Sequence, residues 1–200
     1  MKRLLLAASL LIPFAASAAI PDSAVPVNAL DDGLTAALKA SASQNFAARY
    51  AALAPVIDKS FDLATILHKA IGLKWDTLPA AQQTALQTAF RAYTITTYVS
   101  NFVGSGTHFV LLPDQSAVGS DVIVKTQIVP ASGDPVSINY LTHQAPDGWH
   151  IIDVLQNGTI SQVAVTRSDF RSLLDPGDAT RLIAHLNDKT KELSTPATQP

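Results

Sequence analysis

The sequence predicts an α+β domain in which an antiparallel four- to five-stranded sheet packs against N-terminal, long central and C-terminal helices, with an apolar pocket between them. Three observations predict it. Apolar residues recur at helical spacing from Val27 to Phe102, the period shortens to two from Val122 onward, and helix-capping signals return at Ser168 and Asp178. Helices, then a block of strands, then helices is the order of a sheet covered on one face, whereas a doubly wound nucleotide-binding sheet needs alternating strands and helices.

The elements follow in order. Val27, Leu30, Leu34 and Leu38 form one apolar stripe, and Phe46, Tyr50, Leu53 and Ile57 form a second that Pro55 is expected to bend or break. A short third helix starts at Asp62, a side chain that can accept a backbone N–H. It buries Leu63, Ile66, Leu67 and Ala70 and closes at Gly72. Pro79 opens the longest helix, where Leu86, Phe90, Tyr93 and Thr97 make a broad aromatic and hydroxylated face with Tyr98 and Phe102 beside it. Gly104 and Gly106 end it.

Thr107 to Leu112 is a candidate edge strand. Val122 to Val129 and Val136 to Leu141 alternate as two antiparallel strands joined by a turn at Gly133. Trp149 to Leu155 and Thr159 to Val165 read as a second hairpin, because Asn157-Gly158 is a pair that tolerates the positive φ of a two-residue turn. Ser168 is expected to cap a short helix carrying Phe170, Leu173 and Leu174. Asp178 caps a last one carrying Leu182, Ile183 and Leu186, and the tail at 194–200 is expected to be disordered.

Composition narrows the chemistry. The chain has 200 residues, 14 basic and 16 acidic side chains, 48% hydrophobic residues and no cysteine. It has no basic cluster to meet a phosphate backbone, so nucleic acid is excluded as a partner class. The missing cysteines exclude a disulfide scaffold, a zinc finger and a thiol nucleophile. Lys2 and Arg3, the apolar run from Leu4 to Phe14, and Ala16-Ser17-Ala18 read as a secretory signal peptide over residues 1–18. That run is shorter than the roughly 20 residues a spanning helix needs. The alternative is an uncleaved tether. Cleavage after Ala18 leaves residues 19–193 as one exported domain, and losing Lys2 and Arg3 changes the formal charge from −2 to −4.

The five histidines, at 68, 108, 143, 150 and 185, lack metal-ligand spacing, and no G-x-S-x-G elbow presents a serine. Neither a metal nor a cofactor is expected. Asp153 is the one carboxylate that draws attention, because a regular strand puts it on the face of Trp149, Ile151 and Leu155. A buried carboxylate must be paired or become protonated. One reading makes it a catalytic base, with Tyr93, Tyr140 or His143 as acid partner. The other gives it Arg167, Arg91 or backbone donors near a strand end.

Gly148-Trp149-His150-Ile151-Ile152-Asp153-Val154, then Gly158-Thr159-Ile160-Ser161-Gln162-Val163-Ala164-Val165 and Arg167-Ser168-Asp169-Phe170, resemble the C-terminal signature of the MlaC, or toluene-tolerance, family. Trp75-x-x-Leu78-Pro79, Gln82-Gln83 and Phe90-Arg91-x-Tyr93 resemble its long-helix region, so the likeness spans about Leu53 to Leu193. The Gly-Thr-Ile-Ser-Gln-Val-Ala-Val wording is most similar to the hopanoid-associated HpnM branch. The resemblance implies a periplasmic lipid carrier without catalytic residues. It would shuttle a hopanoid or a phospholipid between inner- and outer-membrane complexes and meet an RND-type or ABC-type inner-membrane transporter. It also implies a lipid pocket, carried over to Leu67, Ile71, Leu86, Phe90, Tyr93 and Thr97 from helices and Val124, Ile138, Tyr140 and Ile151 from strands. Two other classes remain open: an exported cone-like α+β enzyme using Asp153, and a non-catalytic envelope-complex adaptor.

Overall fold

Capping and burial account for the helices of the computed structural model, which describes residues 21–41 and 43–195. The signal peptide expected at 1–18 lies outside the described residues, as do 196–200. Helix α1 (Val25–Ala40) buries Val27, Leu30, Leu34 and Leu38, as their spacing requires. Helix α2 (Phe46–Ser60) starts where the Asn45 side chain accepts the Ala48 N–H at 2.9 Å. Pro55 does not break it. The proline ring sits on the exposed side of α2, while Leu53, Ala54 and Ile57 on either side of it are buried and hold the helix in place.

Helix α3 (Leu63–Ile71) has the cap the sequence implies, with Asp62 Oδ1 accepting from the Thr65 N–H at 2.9 Å. A 3-10 turn over Gly72–Thr77 then leads to α4 (Ala80–Asn101), with Pro79 one position ahead of its first turn.

The sheet has the order β1-β2-β3-β4-β5 and is antiparallel throughout. Its strands are β1 (His108–Val118), β2 (Asp121–Val129), β3 (Val136–Ala145), β4 (Gly148–Gln156) and β5 (Ile160–Ser161). The edge strand expected at 107–112 runs on to Val118, because the register slips between Leu111 and Gln115 and lodges Pro113 in a bulge, where its missing N–H costs no ladder bond. A second slip, between Leu141 and Thr142, sets Ile151 opposite Thr142 but Asp153 opposite Leu141. The inserted Ile152 therefore takes Asp153 out of phase with Trp149 and Ile151. The single face expected for these residues does not form.

The hairpin turn is as expected, Asn157 and Gly158 taking φ of 50° and 79°. The strand predicted over 159–165 is not. After β5 the Ser161 hydroxyl accepts the Ala164 N–H at 3.0 Å and starts helix α5 (Gln162–Phe170). Val163 and Phe170 are its buried residues, seven apart, while Val165 is exposed. Ser168, expected to cap a helix, lies inside this one. The Asp178 carboxylate accepts the Thr180 N–H at 2.9 Å at the start of α6 (Thr180–Ser194), whose last residue is Ser194.

These elements bury two separate apolar clusters. The first joins α1, α2 and the C-terminal half of α4 to the inner sheet face: Leu30, Leu34, Ile57, Ile95 and Val99 against Val124, Tyr140 and Ile151. The second is helical and joins α3, the first half of α4, α5 and α6 through Leu67, Leu86, Phe90, Phe170, Leu182 and Leu186. Helix α4 belongs to both. Leu63 and Ile66 pack against both as well.

One carboxyl is stranded in the first cluster. Asp31 on α1 is 9% exposed, its Oδ1 has no hydrogen-bond partner, and burial, with a smaller push from Asp32, raises its pKa to about 7. The folded state thus holds a proton that the unfolded chain releases near pH 4. Stability is full below that pH and falls as pH rises toward 7, by a few kcal/mol in all. Urea unfolding between pH 5 and 8 should show this decline, and Asp31→Asn should flatten it; an unchanged slope in the variant would count against Asp31 as the cause.

Candidate functional site

The two clusters do not close on each other completely. Between them lies a cavity of about 310 Å3. Phe61, Leu63 and Ile66 from the α2–α3 junction form one wall, and Phe90, Tyr93, Thr94, Thr97 and Tyr98 from α4 form the second. Val163, Thr166 and Phe170 from α5 close a third side, and the end of β4 contributes Asp153, Val154 and Gln156. Local chemistry sets these positions. Phe61 pairs with Ile151 and the Asp62 N–H donates to the Ile151 carbonyl at 3.0 Å, which pins the α2–α3 junction to the free edge of β4. Phe90 and Phe170 meet edge to face, with ring centres 6.3 Å apart, at the α4–α5 end, and Phe61 and Tyr98 meet at 5.7 Å at the other.

Tyr98 and Tyr140 are held neutral. Burial is the main cause of the raised pKa of each hydroxyl, and nearby Asp31 adds to it in both. Thr97 donates its hydroxyl to the Tyr93 carbonyl at 2.8 Å, so its methyl is what it offers the cavity. The lining is predominantly apolar, with a few polar groups at the β4 and α5 edge.

Of the ten residues assigned to a lipid pocket, Phe90, Tyr93 and Thr97 line this cavity. Ile71 lies instead on a separate groove between α3 and α5. Leu67 and Leu86 are packed in the helical cluster, and Val124, Tyr140 and Ile151 in the sheet cluster with Ile138 against it. The sequence reading missed Phe61, Leu63, Ile66, Thr94 and Tyr98 on the helical walls and Val154, Val163, Thr166 and Phe170 on the β4 and α5 side. Tyr98 was visible beside the aromatic stripe of the long helix. The α5 residues were hidden by reading their segment as a strand.

Asp153 is committed to structure. Its Oδ1 accepts the N–H groups of Val154 at 2.8 Å and Val163 at 3.0 Å, and its Oδ2 accepts the Ser161 hydroxyl at 2.5 Å. It thereby ties the end of β4 to the first turn of α5. The cationic partners considered for it are engaged elsewhere, Arg91 in a two-pronged pair with Asp58 and Arg167 with the Lys69 carbonyl. His143, a suggested acid partner, bonds Asp121 at 2.6 Å. Among the described residues no three histidines or carboxylates are grouped to hold a metal, and no helix is long and apolar enough to cross a membrane.

Comparison with known proteins adds three findings. The structure of a phospholipid-binding protein from Ralstonia solanacearum, solved in complex with a phospholipid, superposes with a TM-score of 0.74 at 21% identity, covering 88% of this chain and 100% of that one. That likeness establishes the α+β fold. No match is found among curated protein sequences. The family model for the MlaC protein matches residues 28–188, most of the length of the chain, and the chain therefore belongs to the MlaC family.

Proposed function

We propose that this protein is a periplasmic lipid carrier and that the cavity between its two apolar clusters holds the hydrophobic part of the lipid. The carrying observation is that cavity: an apolar space bounded by α3, α4, α5 and β4 in a chain of the MlaC family. The phospholipid bound to the Ralstonia protein supports lipid as the ligand class. The basic and apolar leader of residues 1–18 supports export.

Transfer free energy supplies the mechanism. Each methylene moved from water into the cavity contributes about 0.8 kcal/mol, enough to keep an acyl chain or fused ring out of an aqueous compartment. At about 310 Å3 the cavity lies at the low end of ligand pockets, which run from about 300 to 1,000 Å3. It takes part of a lipid in this state, and a whole one requires α3 and α5 to move away from α4. Extraction from a bilayer gains little from burial, since the membrane is equally apolar. Loading and delivery therefore depend on partners, for which the family likeness supplies an RND-type or ABC-type inner-membrane transporter. The Gly158–Val165 wording supports a hopanoid as cargo, and the Ralstonia complex a phospholipid.

Asp153 gives the enzymatic reading no support, because both its oxygens already accept hydrogen bonds from the fold. Lipid extraction and native mass spectrometry of the exported protein test the carrier reading. A stoichiometric hopanoid or phospholipid is the expected result. Protein that is lipid-free and takes up neither lipid from vesicles would overturn it.

A further inference from the structure

A second concavity, of about 460 Å3, opens between α3 and α5. Its lining includes Leu73 and Lys74 from the turn after α3 and Arg167 and Arg171 from α5 and its end, and no carboxylate is among its lining residues. This is notable in a chain whose formal charge is −2. Lys74 donates to the Leu174 carbonyl at 2.5 Å and Arg167 Nε to the Lys69 carbonyl at 3.0 Å. These bonds orient both cations without neutralising them. Lys69, whose carbonyl accepts from Arg167, is a further cation in the last turn of α3. Asp169, also on α5, lines the other cavity.

Leu73 is the second observation. It is 91% exposed at the apex of the turn, immediately after Gly72, whose φ of 64° reverses the chain there. No other apolar side chain among the exposed ones of the described residues is as free of the fold. A protruding leucine in a groove that also holds three cations has the composition of an interfacial anchor, in which the apolar tip enters the acyl boundary and the cations meet phosphates. An acidic protein would satisfy the cations but leave Leu73 without a purpose.

We propose that the α3–α5 groove is the face on which this protein meets an anionic phospholipid bilayer. The inference rests on the carrier reading for its purpose. Phe170 lines both this groove and the lipid cavity, so the docking face and the proposed cargo site share a wall residue.

The test is co-sedimentation of the exported, full-length protein with two vesicle types, phosphatidylcholine alone and phosphatidylcholine mixed with phosphatidylglycerol, at low and physiological salt. Binding is expected only to the mixed vesicles and should weaken with salt. Arg171→Glu should lower it at least about fivefold, the effect of losing roughly one charge near such a surface, and Leu73→Ser about tenfold, the effect of withdrawing a leucine side chain from the acyl boundary. Melting temperature and co-purified lipid should stay unchanged in both variants, since neither residue lines the lipid cavity. Equal binding to the two vesicle types, no binding to either, or full binding by both variants overturns the proposal. So does vesicle binding unaffected by Arg171→Glu together with lost capture by a purified transporter, which would assign the groove to an acidic protein. A lipid-free preparation that still binds the mixed vesicles would instead sink the carrier reading and leave the docking face standing.

Discussion

Replacing Asp153 by alanine is expected to cost about 3 to 5 kcal/mol of folding stability and to release α5 from the sheet. The carboxylate accepts three hydrogen bonds, from the Val154 and Val163 N–H groups and the Ser161 hydroxyl, in a site where it is 9% exposed. A hydrogen bond to a charged group contributes about 1.5 to 3 kcal/mol, and losing it leaves buried donors unsatisfied. The three are coupled, so their sum is an upper bound. Asp153→Asn is the sharper test, because its amide retains one acceptor oxygen but presents N–H groups to donors. It should cost about 2 kcal/mol in urea unfolding and speed hydrogen exchange over Gln162–Phe170. An Asn variant as stable as the parent would mean that α5 is held by other contacts.

The second large effect concerns the cavity. Thr94 lines it from α4 without belonging to either packed cluster, so Thr94→Phe can fill space without displacing the core. A phenyl group there takes the room of three or four lipid carbons, a loss of roughly 3 kcal/mol at about 0.8 kcal/mol per methylene. That corresponds to more than a hundredfold in Kd. Lipid carried through purification should fall accordingly, with the melting temperature of the stripped protein little changed. Thr88→Phe, at an exposed position of the same helix, is the control and should retain its lipid. Equal retention by both variants would place the ligand elsewhere.

The regular elements were readable because each has a physical signature in the chain. The stripes of α1 and α2, the Asp62 cap and the alternation of β2 and β3 all report burial on one face. Two features broke that logic. The Ser161 cap turns a segment with alternating Val163 and Val165 into helix, and the hydrogen bonds that favour this outcome come from Asp153, eight and ten residues earlier. The extra residue at Ile152 shifts the phase of β4, and strand alternation cannot announce a bulge set by pairing with β3. The lining was harder still. The family resemblance was carried over onto apolar positions such as Leu86, Val124 and Ile151, which are the side chains that pack best, whereas a cavity lies where packing is incomplete. Phe90, Tyr93 and Thr97 were found because α4 serves both clusters, and Phe61 was missed because it sits between helices with no stripe around it.

That sharing of α4 has a thermodynamic consequence. Two apolar clusters joined through one helix and the Leu63–Ile66 turn amount to two cooperative units with a soft boundary, and α3 and α5 lie along it. A lipid in the boundary touches both units and couples them, adding the linkage free energy of a ligand that binds only the folded state. The loaded protein is then expected to unfold as one unit, and the empty one to fray along α3 and α5 at temperatures its sheet survives, a difference that hydrogen exchange with and without lipid measures. For a protein that acts as the proposed carrier, release of the lipid and loosening of α3 and α5 become a single event, and the empty form is marked by its own local unfolding.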